Sequence, residues 1–198
     1  MKKIIFIFAI ALFGITLTAS FATTASPKII LLISEQNIES PRHAWWASEV
    51  DLSATEATIA GRLIEEGYEI IEPQQLGELI NKNRAFRLLD LAQKDAVKIG
   101  NLSKADYIIL GKAVASVGGN VPQSSMRSCY ANLSAKLIRI KDSKVISYLD
   151  ASGNSAHMDV ITGGKEALVS AATNLSQKII EALNKEQCLK PEVKQGGM

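Results

Sequence analysis

The stretch Ile99-Gly100-Asn101-Leu102-Ser103-Lys104-Ala105-Asp106-Tyr107-Ile108-Ile109-Leu110-Gly111 decides the fold. Before it, Ala85, Leu88, Leu89, Ala92, Ala96 and Ile99 recur at helical spacing, so Arg84 to Ile99 reads as a helix with one buried face and Gly100 as its stop. Ala105-Asp106 marks a tight helix-to-strand entry. Tyr107 to Leu110 is apolar at every position, the pattern of a strand buried on both faces and therefore central. It continues through Gly111, where another backbone can approach closely, towards Val117.

Towards the N-terminus, Lys28 to Ile33 is a second continuous apolar run and a second buried strand. Ser53-Ala54-Thr55-Glu56 is a capping box, in which the serine hydroxyl and the glutamate carboxyl each accept a free backbone N–H of the first helical turn. The helix behind it should bury Ile59, Ala60, Leu63 and Ile64 and end at Gly67. Tyr68 to Ile71 is a short strand ended by Pro73, and strand, helix, strand in this order predicts a parallel crossover. Gln74 to Asn81 is a further short helix.

Towards the C-terminus the pattern changes to alternation. Ala131, Leu133, Ala135 and Leu137 interleave with Asn132, Ser134 and Lys136, as in an antiparallel strand with one wet face. The phase slips between Leu137 and Ile138, which predicts a bulge or strong twist. Lys141 to Lys144 turns the chain into a strand from Val145 to Ala151, which Gly153 to Val160 prolongs or bends. Gly163-Gly164 opens a closing helix that buries Leu168, Ala171, Ala172, Leu175 and Ile179. The expected fold is α/β: a single domain with a mixed β-sheet of about five strands, in the order β-α-β-α-α-β-β-β-α, with helices packed on it. The first three strands form the buried centre and the later hairpin covers an edge. The domain runs from 23 to 185, and 186–198 is a polar tail.

Residues 1–22 stand apart. Lys2-Lys3, the uncharged run Ile4 to Ile15 and Ser20-Phe21-Ala22 make the three parts of a cleaved signal peptide, with an amino-terminal anchor as the alternative. A span needs about 20 apolar residues, and this run thins at Thr16. No cysteine follows it, so no lipoprotein acyl chain is expected. The predicted setting is the periplasm, without a transmembrane anchor in the mature chain. Four of the five phenylalanines leave with the leader, as do Lys2 and Lys3, which brings the 22 basic side chains level with the 20 acidic ones. A neutral domain implies no nucleic-acid partner.

The chemistry-bearing residues are few. Export makes a disulfide between Cys129 and Cys188 the expectation, with two buried or free thiols as the alternative. The two cysteines and the histidines His43 and His157 show no metal-ligand spacing, so neither metal nor cofactor is expected. His157, Asp159, Ser152 and Ser155 are the letters of a serine triad, but no nucleophile elbow surrounds them, and a polar strand end is the reading preferred. Cys129 with His43 or His157 would serve a thiol enzyme only as a free thiolate. Gly163-Gly164-Lys165 lacks the spacing of a phosphate loop. The Asn-Leu-Ser sequons at 101, 132 and 174 are taken as chance.

Two surfaces are candidate binding sites. Pro41-Arg42-His43-Ala44-Trp45-Trp46 places both tryptophans side by side in a loop running from Glu35 to Val50, so Arg42, His43, Trp45 and Trp46 are candidates for partner or ligand binding. Wholly structural tryptophans are the competing reading. The connection from Ser116 to Ser128, with Gly118, Gly119, Asn120 and Pro122, reads as a binding loop or a mobile one.

Three motifs carry a family resemblance: Glu56 to Ile71, Ile99 to Gly111, and the hairpin Cys129 to Ala151 followed by an alanine-rich helix. Over residues 28 to 184 the chain resembles the bacterial envelope superfamily of the TolB amino-terminal domain, the curli-secretion protein, the penicillin-binding-protein activators and the flagellar assembly (H-ring) protein. The resemblance implies a non-enzymatic adaptor or assembly factor that contacts envelope proteins, peptidoglycan or an outer-membrane complex. The alternative is a glycan or small-ligand module using Trp45 and Trp46. The chain departs from many such relatives in lacking an acylatable cysteine and in carrying Ser143-Lys144 where a Thr-Gly turn is frequent.

Overall fold

The computed structural model describes residues 26–39, 41–44, 53–71 and 91–188. Five strands, β1 (Lys28–Gln36), β2 (Glu69–Ile70), β3 (Tyr107–Asn120), β4 (Arg127–Arg139) and β5 (Lys144–His157), form one mixed sheet in the order β2-β1-β3-β4-β5. β1 runs parallel to β2 and to β3, and β3, β4 and β5 pair antiparallel. Three helices, α1 (Ala54–Glu65), α2 (Gln93–Leu102) and α3 (Val160–Cys188), pack on it. The expected single α/β domain with a five-stranded mixed sheet is what the chain forms.

The larger core lies between one sheet face and the helices α1 and α3. It joins Ile29, Leu31 and Ile33 of β1, Tyr107 and Ile109 of β3 and the alternating Ala131 to Leu137 of β4 to Ile59 and Leu63 of α1 and Leu168, Leu175, Ile179 and Leu183 of α3. At Gly153 of β5 the α3 backbone comes so close that a Cβ would overlap the Ala167 carbonyl oxygen and the Ala171 nitrogen. The smaller core lies on the opposite face, where Ile30, Leu32 and Ile108 pack against Ala96 and Ile99 of α2 and Ile140.

Local signals explain the element ends. Ser53 Oγ accepts from Glu56 N–H at 3.1 Å and Glu56 Oε2 from Ser53 N–H at 3.3 Å, closing the predicted capping box. Gly67 ends the α1 segment at φ +86°, a conformation glycine adopts without strain. Because β2 stops at Ile70, the outer edge of β1 is completed by other groups. Glu56 Oε1 accepts from Ile33 N–H at 2.9 Å, and Glu35 exchanges two backbone bonds of 2.9 Å with His43. The register shift in the β4–β5 ladder falls between Leu137 and Ile138, where the apolar phase slips.

Several expectations are corrected. β2 is an edge strand, so β1, β3 and β4 make up the sheet interior. α2 begins only at Gln93, with Ala92 in extended backbone before it, and runs through Gly100 to Leu102. Ala85, Leu88, Leu89 and the helix expected at 74–81 lie outside the described residues. Ile64 is 58% exposed. α3 starts at Val160, ahead of the glycine pair, because Asp159 Oδ2 accepts from Thr162 N–H at 2.8 Å and from its hydroxyl at 2.6 Å. Its far end is held too, since Glu186, expected in the tail, pairs with Arg139.

Candidate functional site

The structure divides the expected site residues. Arg42 and His43 are half-buried, and His43 belongs to the backbone bridge with Glu35. Trp45 and Trp46 lie outside the described residues. Gly118, Gly119 and Asn120 are strand residues, at a register shift between Val117 and Asn120 where β3 bulges. The expected long loop from 116 to 128 is a short tip around Pro122, closed by Val121 N–H to Met126 O at 2.9 Å and Ser124 N–H to Val121 O at 3.2 Å. β1 ends beside Val114, so neither its ladder nor the His43 bridge reaches the bulge.

The Cys129–Cys188 bridge is not formed; both thiols are free, Cys129 buried and Cys188 exposed. Distance forbids it. The Cys129 thiol meets the Val160 carbonyl at the start of α3, and Cys188 is the last residue of that 29-residue helix. At about 1.5 Å per residue the helix ends stand roughly 42 Å apart, whereas bridged cysteines need Cα atoms within about 7 Å. Burial also pushes the Cys129 thiol up, which opposes its ionisation to a nucleophile.

Three of the triad letters, Ser155, His157 and Asp159, bond at the start of α3, where the Asp159 carboxyl is the cap. Ser155 Oγ donates to Gly163 O at 2.7 Å, His157 Nδ1 accepts from Asp159 N–H at 3.0 Å, and the Thr162 bonds hold the Asp159 carboxyl below its ordinary range. Ser155 gives its proton to a carbonyl and not to His157, and the Asp159 carboxyl is bonded to Thr162, so these three side chains do not form the serine–histidine–carboxylate relay of a triad.

A different surface emerges. On the α2 side of the sheet, cover by the described residues stops near Gly111. β3 is buried at every position from Tyr107 to Ile109, then alternates: Lys112, Val114 and Ser116 exposed, Ala113 and Ala115 buried. Register aligns this face in rows across the strands. Ser34, Lys112, Ser134 and Asp150 form one row, and Leu32, Leu110, Lys136 and Tyr148 the row nearer α2. In the other direction Val114, Asn132 and Ser152 lie side by side, followed by Ser116, Tyr130 and Asn154.

This face is exposed yet rich in contact groups. Tyr130 is 48% and Tyr148 69% exposed, with Val114 between them in the rows. The Lys136 ammonium lies 5.5 Å from the Tyr148 ring centroid, in cation–π range. At the outer edge of β5, Lys178 Nζ donates to Asp150 O at 2.6 Å and Asn174 Nδ2 to Ser152 O at 2.9 Å. These α3 side chains cap carbonyls that would otherwise invite another strand. Chemically, the face offers two exposed tyrosines, a residue type enriched at protein contacts, set among ammonium groups and hydroxyls. Sequence alternation puts Asn132, Ser134 and Lys136 on a wet strand face, but none of them is among the expected site residues or joined there to Lys112, Val114, Tyr130 and Tyr148, although the alternation beginning at Lys112 was there to find it.

No family model matches the chain, and no curated protein matches it. Among solved structures, the LpoB C-terminal domain from Salmonella enterica is similar at 18% identity, over 70% of this chain and 87% of that one, with a TM-score of 0.39. Lipoprotein GNA1162 from Neisseria meningitidis is similar at 13% identity, over 82% and 98%, with a TM-score of 0.42. The hypothetical protein CT253 from Chlamydia trachomatis is similar at 11% identity, over 83% and 99%, with a TM-score of 0.46. These are loose likenesses and assign no role to this chain.

Proposed function

We propose that this chain is a non-enzymatic adaptor or assembly factor of the bacterial cell envelope, working in the periplasm by protein–protein contact through the open face of β3, β4 and β5. The observation that carries the reading is the exposure of Tyr130, Tyr148 and Val114 together on a sheet face that no described helix covers. An antiparallel sheet commonly leaves one face to solvent; what marks this one is the gathering of large side chains on it, since contiguous exposed apolar and aromatic groups signal a contact site. The amino-terminal leader pattern supports export. No described helix is long and apolar enough to cross a membrane. Ser155, His157 and Asp159 are bonded at the start of α3 and Cys129 is buried, which supports a role by contact over one by hydrolysis or thiol chemistry.

The test is photo-crosslinking in the native envelope from a reactive phenylalanine analogue placed at position 130 or 148, with position 64 on the opposite side of the sheet as reference. The expected result is one dominant envelope-protein adduct from 130 and 148, lost in a Tyr130→Ala/Tyr148→Ala variant that melts like the parent when the probe sits at 114. Equal adducts from all three positions, or adducts from position 64 alone, would overturn the reading.

A further inference from the structure

We infer that the end of the open face nearest α2 is a binding site for a small monoanion, a carboxylate carried on an apolar group. The inference goes beyond the adaptor reading and stands without it, since it concerns a cavity within the face and not the face as a whole. The cavity measures about 280 Å³, at the lower edge of the size range of small-molecule pockets.

Its floor is Ser34. This side chain is 1% exposed, and its hydroxyl has no hydrogen-bond partner. The preceding positions of β1 on the same face, Ile30 and Leu32, are fully buried aliphatic residues of the smaller core. An aliphatic residue at 34 would continue that pattern and leave no polar atom orphaned. A buried hydroxyl there is costly unless something entering the cavity bonds to it.

The surrounding charges select the ligand. Lys112 lies beside Ser34 in the strand register, and Lys136 one row nearer α2, so two ammonium groups border the cavity. Asp150 borders it from β5, which favours a single negative charge over two. β3 and β4 are interior strands whose backbone N–H groups are consumed by ladders on both sides. The cavity therefore lacks the cradle of backbone N–H groups that phosphate sites typically use, and recognition falls to the hydroxyl and the ammonium groups. Leu91, Leu110 and the Tyr148 ring supply the apolar wall, and the ring steadies the Lys136 ammonium from the side. A carboxylate pointing at Ser34 with its hydrocarbon against the leucines would accept from the orphaned hydroxyl and sit beside the Lys136 ammonium, at the cost of a single repulsion from Asp150.

The test is a titration of the full mature chain with phenylacetate, phenylacetamide and phenyl phosphate, followed by amide chemical shifts. Phenylacetate is expected to give saturable shifts at Ser34, Lys112, Lys136 and Tyr148, with the uncharged amide binding about tenfold more weakly or worse. Lys136→Met should weaken phenylacetate by roughly fivefold or more, whereas Lys98→Met, on the exposed side of α2, should leave it unchanged. Ser34→Ala separates ligand from fold: it should weaken binding while raising the melting temperature of the free protein by about 2 °C, because it deletes an orphaned hydroxyl. Absence of saturable shifts at these amides up to about 20 mM, a Kd too weak for a functional site, would overturn the inference. Equal affinity for the amide, tighter binding of the phosphate, or phenylacetate affinity unchanged by Lys136→Met would do so as well.

Discussion

Replacing Glu56 by alanine removes the group that ties α1 to β1. The Glu56 carboxyl is fully buried, and its two oxygens accept from Ile33 N–H at 2.9 Å and Ser53 N–H at 3.3 Å. The first of these bonds replaces a ladder partner that β2 is too short to provide. In Glu56→Ala both N–H groups lose this acceptor while buried, and each costs about 1–3 kcal/mol, so the variant should lose about 4 kcal/mol. For a domain of this size 1 kcal/mol moves Tm by about 2–4 °C, which puts the fall at about 8–16 °C. Glu56→Gln keeps one acceptor but turns an N–H₂ group towards the other N–H, and should lose roughly half as much. Glu65→Ala is the reference: its ion pair with Arg62 is exposed, and such pairs contribute at most about 1 kcal/mol. Thermal melts followed by circular dichroism in the far ultraviolet give all three values. A Glu56→Ala melt within about 2 °C of the parent, less than 1 kcal/mol can produce, would refute the reasoning.

Other consequences follow from the same contacts. Gly153→Val must push α3 off β5, because the added carbons meet α3 backbone; broadening or loss of the cooperative melt is expected, and a parental melt would contradict the packing. The Arg139 hydrogen bonds hold the Asp142 carboxyl down to about 2 from its ordinary 3.8. A carboxyl lowered on folding stabilises the native state above its unfolded pKa, so this contribution is intact above about pH 4 and lost as the pH falls towards 2. Asp142→Asn should flatten that part of the stability–pH curve, and an unchanged curve would count against the Arg139–Asp142 pair. A thiol reagent should modify one cysteine, Cys188, in the folded protein and two after unfolding without reductant; no reaction in the unfolded chain would reveal a disulfide.

What the sequence disclosed and withheld has physical causes. The capping box, Gly67, the apolar runs of β1 and β3 and the slip at Leu137-Ile138 are local signals, each set by a few neighbouring residues, and each is found in the structure. The misread elements depend on partners distant in the chain. Nothing local in Tyr68 to Ile71 says that its strand lies at an edge, and Gly100 reads as a stop until Ile108 and Ile140 are seen packed against it within α2. The cysteine pair followed from compartment alone, and only the length of α3 shows that the thiols cannot meet. The open face was legible in principle, since Lys112, Val114 and Ser116 alternate with Ala113 and Ala115. Its aromatic groups come from two other strands, and only the register brings Tyr130 and Tyr148 onto the same surface.

Hydroxyl-radical footprinting of the tyrosines in the native envelope and in the purified protein tests the working role of the open face most directly. Tyr130 and Tyr148 are exposed on it, and Tyr68 and Tyr107 are buried internal references. If the face docks a partner, Tyr130 and Tyr148 are oxidised more slowly in the envelope than in the purified protein, with the two buried tyrosines unchanged. Equal oxidation of Tyr130 and Tyr148 in both settings, with protection at Ile64 or Leu102 instead, would place the contact surface elsewhere on the molecule.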